Sequence, residues 1–143
     1  MKRRITLENA TEQFKKIRTY ITEMIDSNRY TEHHIFYLLY RELLDAINNN
    51  NFYLVRLLLK YNADPNFIKV PLNNVPLIQA AHQNNTDIVE LLLEFGADPE
   101  VVDSNGDTYR DILKTLSVAG EFINNEVLND LVSNFQGLGK RSR

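Results

Sequence analysis

Val75-Pro76-Leu77-Ile78-Gln79-Ala80-Ala81, followed by Asp87-Ile88-Val89-Glu90-Leu91-Leu92-Leu93-Glu94-Phe95-Gly96-Ala97-Asp98-Pro99, sets the architecture of the chain. It reads as two short antiparallel helices and the start of a loop. Pro76 suits a first helical position, where its missing N–H would have had no partner. Leu77, Ala80 and Ala81 then share a face, and the two alanines admit a close neighbouring helix. Asn84 and Asn85 mark a turn, with Thr86-Asp87 as the expected cap and acidic first turn of the second helix. Ile88, Leu91, Leu92 and Phe95 form the apolar stripe of that helix. Gly96 falls just past its end, where a left-handed backbone is wanted.

The same unit occurs thirty-four residues earlier. Leu54-Val55-Arg56-Leu57-Leu58-Leu59-Lys60-Tyr61-Asn62-Ala63-Asp64-Pro65-Asn66 aligns with Ile88 to Glu100, Asn62 standing in for Gly96. Asn is the next best residue for a left-handed position, so the exchange is physically sensible. A period in the low thirties with this content is an internal repeat. On these residues the chain resembles the ankyrin-repeat family. "VPLIQAA" stands where that family has Thr-Pro-Leu-His-x-Ala-Ala, and "VELLLEFGADPE" and "VRLLLKYNADPN" match its second helix and Gly-Ala-Asp turn. The signal is strongest over residues 41–114.

The resemblance implies an all-α solenoid of about three stacked helix-turn-helix units joined by β-hairpin or loop fingers. One domain over 6–135 is expected, divided into a capping segment (6–30), two repeats (31–66 and 67–100) and an altered last repeat (101–135). Residues 1–5 and 136–143 read as tails. Thr6 to Asp26 reads as a helix with Leu7, Ala10, Phe14, Ile17, Ile21 and Met24 on one seam, its cap open between Thr6 and Asn9. That seam fits a cover for the first repeat, or one side of a short coiled coil. It also echoes a degenerate repeat, since Ile21 to Asn28 resembles Val55 to Asn62. Thr31 can cap a second helix to about Asn48, extended at its start because Arg41-Glu42 replaces Thr-Pro and no finger precedes it. Asn48-Asn49-Asn50-Asn51 fits a turn between helices.

Phe67 to Asn74 should be the first finger, and Glu100 to Asp107 the second, with Gly106 in its turn and Thr108 as the next cap. Val75 cannot cap with its side chain, a loss of roughly 1 kcal/mol. In the last unit, Tyr109 to Leu116 reads as the inner helix. Extra residues follow around Val118–Ile123, and then a final helix from Glu126 to Asn134.

The 143 residues carry no cysteine and a net charge of −3, so neither disulfides nor thiol chemistry arises. No apolar run reaches membrane-spanning length, and Met1-Lys2-Arg3-Arg4 lacks the apolar segment of a secretory signal. A cytoplasmic protein is expected, or one acting in a host cytoplasm: the Asn- and Ile-rich composition suits an AT-rich genome, such as those of many intracellular bacteria and large viruses. Between Thr86 and Asp130, eleven acids face only Arg110 and Lys114. Phosphate backbones would be repelled, which argues against nucleic-acid binding through the body of the domain. That acidic half either meets a partner with basic side chains or is simply solvated.

No catalytic constellation emerges. His33 and His34 are adjacent and point apart on a helix, and His82 has no second ligand at metal spacing. The carboxylates form no pair marked for acid–base work, and the glycines no phosphate cradle. No cofactor or metal is expected. The resemblance instead implies binding of another protein through a concave face of finger tips and inner helices. By position, its contact sites are Phe67, Lys69, Pro71, Leu72, Asn74, His82 and Gln83, then Val102, Ser104, Asn105, Asp107 and Thr115. Phe67 and Leu72 could equally tuck under the fingers as structure, and His82 could simply face solvent. Two functions stay open: a monomeric adaptor or inhibitor, and a structural unit that self-assembles through the first helix.

Overall fold

A computed structural model describes residues 6–67 and 75–124, with the backbone alone for 120–124. Among the described residues there are six helices and no strand: α1 (Leu7–Ser27), α2 (Glu32–Asn48), α3 (Phe52–Lys60), α4 (Pro76–His82), α5 (Thr86–Glu94) and α6 (Tyr109–Asn124). They form two rows. The inner row stacks α2 on α4 and α4 on α6, while the outer row sets α3 between α1 and α5. Within each unit α2 lies on α3 and α4 on α5. The all-α solenoid expected from the repeat is therefore the architecture found.

The repeat is written into the backbone. Asn50 and Asn84 are both left-handed at φ 54°, and Asn62 and Gly96 at φ 72° and 94°. In each unit the buried alanine that follows donates its N–H back to the outer helix: Ala63 to Leu58 and Ala97 to Leu92, both at 2.9 Å. Asp64 and Asp98 then each accept from the N–H two residues on, at 2.8 and 2.9 Å. These bonds satisfy the orphan carbonyls of the helix end and turn the chain into the next finger.

Three further bonds tie one unit to the next. The Asn85 amide donates to Asn50 Oδ1 at 3.1 Å, turn to equivalent turn. Asn66 donates to Gly96 O at 2.9 Å and accepts from Asp98 N at 2.8 Å. Between these polar seams runs one continuous apolar core. Leu43 and Ile47 of α2, Leu54 and Leu58 of α3, Leu77 of α4, and Ile88 and Leu92 of α5 are all fully enclosed within it. Neither pair of helices could shield this surface alone, so burial couples the units.

α1 takes an outer-row place, and most of its seam packs inside the chain: Ala10, Ile17, Ile21 and Met24 are buried, the Phe14 ring meets Tyr61 edge-on at 5.4 Å, and Leu7 at the start stays exposed. Thr6 is its cap, accepting from Asn9 N, which closes the choice between Thr6 and Asn9. Asn28 ends it in the left-handed region at φ 53°, as Asn62 ends α3, so the echo between these segments has a backbone counterpart. α2 is extended at its start as expected. Its first turn is fixed by a reciprocal cap in which Thr31 Oγ1 accepts from His34 N while Thr31 N donates to His34 Nδ1 at 3.2 Å.

Two expectations need correction. The cap of α5 is Asn85, whose side chain accepts from Ile88 N at 3.1 Å, and Thr86 is already helical. Asn51 caps α3 in the same way at the equivalent place. The inner helix of the last unit does not stop at Leu116: α6 runs unbroken to Asn124, through the residues expected to be inserted. Nothing after Leu116 breaks a helix except Gly120, whose interior cost is only about 1 kcal/mol. The expected final helix, Glu126 to Asn134, lies outside the described residues, as do the two tails.

Candidate functional site

The surface expected to carry function is the inner-row side together with the fingers. Gln79 and His82 on α4 and Gln83, its C-cap, share a face at helical spacing. Both glutamine amides donate to one oxygen, Asn48 Oδ1 of α2, at 2.6 and 2.8 Å. The result is a polar bridge between successive inner helices. The Gln83 side-chain oxygen Oε1 is buried and has no hydrogen-bond partner among the described residues. Next to Asn48 on α2, Arg41, Glu42, Leu44 and Asp45 line an open cleft of about 370 Å³. Burial, and then the neighbouring Asp45 charge, push the Glu42 carboxyl above its usual value.

Asp103 organises the second finger. Its carboxylate accepts from Asn105 N at 2.8 Å and from Asp107 N at 2.9 Å, its N–H donates to Asp107 O at 2.9 Å, and its C=O accepts from Gly106 N at 3.0 Å. Gly106 holds φ 83°, which a side chain would strain. The other oxygen of Asp103 lies 3.6 Å from His82 Nε2, which places the finger beside the end of α4. The Asp103 side chain is only 9% exposed, whereas His82 remains 53% exposed. His82 is thus more than half exposed and lies beside the finger.

The remaining expected contacts divide. Val102 is 42% exposed, a large apolar side chain beside the turn, and Ser104, Asn105 and Asp107 are exposed around it. Thr115 is exposed on α6, its hydroxyl donating to Asp111 O at 3.0 Å. Phe67 is half-buried against α2, its ring centroid 4.9 Å from Tyr40, 5.9 Å from His33 and 6.4 Å from Tyr37. Burial raises the Tyr40 phenol pKa beside this cluster. Lys69, Pro71, Leu72 and Asn74 lie outside the described residues.

Sequence reasoning passed over Gln79, Asn48 and Asp103. A signal for the first two was present: Gln79 lies three and four residues before His82 and Gln83, and Asn48 is His82 shifted back by one repeat. Asp103 was quoted only as part of a matching turn. His33 and His34 do point apart, one to Phe67 and the other to Thr31. Among the described residues no group of three or more His, Cys, Asp or Glu could hold a metal ion. No described helix is long and apolar enough to cross a membrane.

A comparison with curated proteins gives no match. The family model for ankyrin repeats, in three copies, matches residues 43–134. That span takes in α3, α4, α5 and α6 and begins inside α2, leaving α1 before it. Such repeats are generally protein–protein interaction modules, and the domain is typically non-catalytic. With the period, the turn geometry and the stacked rows in agreement, the chain belongs to the ankyrin-repeat family.

Proposed function

We propose that the protein is a non-catalytic adaptor or inhibitor that binds a partner protein through the concave face made by its inner helices and fingers. The observation that carries this reading is the set of ties between rigid elements on that side. Asn48 bridges to Gln79 and Gln83, and Asp103 holds the finger turn and meets His82. Side chains fixed in this way lose little freedom on association, which favours recognition by shape. Val102 supplies an exposed apolar centre with Ser104, Asn105 and Asp107 as a polar rim, the composition expected of an interface. Lys69, Pro71, Leu72 and Asn74 are proposed as further contacts from the family pattern alone.

Monomeric behaviour is supported by the burial of Ala10, Ile17, Ile21 and Met24 within the chain, which takes most of the α1 seam out of reach of a second copy, Leu7 at its start being 57% exposed. The setting proposed is a cytoplasm, that of a host included. Affinity capture from native cell lysate, followed by mass spectrometry, tests the reading. Val102→Glu with Asn105→Glu should abolish capture of the partner without changing helical circular dichroism, while Tyr20→Glu on α1 should leave capture intact. Undiminished capture by the finger variant would count against the concave face.

A further inference from the structure

We propose that Asn105-Gly106, at the tip of the second finger, is a self-modification site: Asn105 deamidates there, and the turn built by Asp103 holds the reaction back. Asn105 is the one asparagine of the chain that glycine follows. Succinimide closure needs the next residue's main-chain nitrogen to reach the asparagine side-chain carbon. Every other asparagine is followed by a residue whose side chain crowds that approach, whereas glycine has none and bends freely. Asn105 and Gly106 are both exposed, so water has access to the ring once it forms. Among the described residues no hydrogen bond holds the Asn105 side-chain amide.

The reaction takes water alone as co-reactant. Gly106 N bonds to Asn105 Cγ, its proton passes to Nδ2, and the Cγ–Nδ2 bond breaks to release ammonia. Water then adds to either ring carbonyl, leaving aspartate or isoaspartate. What the fold controls is the nucleophile. Gly106 N–H is committed to Asp103 O at 3.0 Å, and one Asp103 carboxylate oxygen accepts from Asn105 N and Asp107 N at 2.8 and 2.9 Å. The bond from Asp103 N to Asp107 O at 2.9 Å closes the same turn. To attack, Gly106 N must leave its acceptor, and the Asp103 bonds oppose that movement. The product puts a further carboxylate between Asp103 and Asp107, and isoaspartate also lengthens the main chain by a methylene. A transient opening of the finger is thereby recorded as a lasting change of charge and geometry at its tip. The site needs no partner protein and stands apart from the binding face.

Incubation of the full chain at neutral pH tests this, with peptide mapping that separates asparagine, aspartate and isoaspartate forms and locates them by mass spectrometry. In guanidinium chloride, Asn105 should convert faster than any other asparagine. The folded chain should convert it at least about ten-fold more slowly, the factor that opening one hydrogen bond supplies. Asp103→Ala, with helical circular dichroism unchanged, should recover most of the unfolded rate. Asp103→Asn keeps an acceptor oxygen and should recover less. The folded and unfolded rates of the unaltered chain decide the matter even where Asp103→Ala fails to fold. Equal rates in those two states would overturn the proposal, as would unmodified Asn105 in denaturant. A folded Asp103→Ala variant no faster than the unaltered chain would overturn it too.

Discussion

α2 and α4 hold equivalent places in the inner row, yet α2 has seventeen residues and α4 has seven. The difference lies at their starts. α4 is entered from a finger through Val75-Pro76, with no side-chain cap, and must begin where the finger ends. α2 follows a simple turn, so it extends backward until Thr31 and His34 close its first turn. The added length carries His33 and Tyr37, on which Phe67 of the next unit rests. A helix at the end of an array is thus free to grow, and its extra turns become a seat for the finger that follows. Core packing is common to both units, whereas what stands in front of each helix is not.

The largest expected effect probes what the two units share. Leu58 and Leu92 are equivalent and fully enclosed, so Leu58→Ala and Leu92→Ala should each lower stability by about 2–5 kcal/mol in urea denaturation. A large difference between them would mean that the units do not share one core. Next comes the seat itself. Phe67→Ala should cost about 1–2 kcal/mol, below the range for a fully enclosed ring because Phe67 is half-buried. If stability is unchanged and only partner capture falls, Phe67 is a contact rather than a brace.

The turns sharpen the comparison further. Gly96→Ala should cost about 1–2 kcal/mol from backbone strain alone, since an added Cβ would meet no atom within 4 Å. Gly96→Asn should cost less, because Asn62 already holds φ 72° at the equivalent place. Thermal denaturation of both variants checks the order. The smallest effect belongs to the start of α6, where Thr108 donates from N–H and Oγ1 to Asp111 Oδ2 at 3.0 and 3.1 Å. Those bonds hold the Asp111 carboxyl below its ordinary pKa. A lowered folded value means that this capping bond contributes above the unfolded pKa and is lost as pH falls through the folded one. Titration of Asp111 by nuclear magnetic resonance should give a pKa below that of free aspartate, and Thr108→Ala should raise it.

Most of the helical framework was legible because it rests on local chemistry repeated with a fixed period. Asn62 and Gly96 could be placed in left-handed positions from residue type, and the Leu58 and Leu92 stripes from spacing alone. Other features escaped for stateable reasons. Asn85 and Thr86 are both competent caps in adjacent positions, and only comparison with Asn51 separates them. No residue near Leu116 announces the continuation of α6 to Asn124. The Phe67 cluster joins side chains about thirty residues apart, so no local pattern encodes it. At the candidate site, the exposed positions followed from the family pattern. The bridges made by Asn48 and Asp103 are tertiary, and their partners became apparent only once the helices were stacked.

Native-state hydrogen exchange on Leu92→Ala tests most directly whether each helical pair is stable only through its neighbour. The amides of Leu43 and Ile47 in α2 should lose as much protection as that of Val89 in α5, although none of the three residues is altered. Full wild-type protection in α2, with loss confined to α4 and α5, would contradict a shared core.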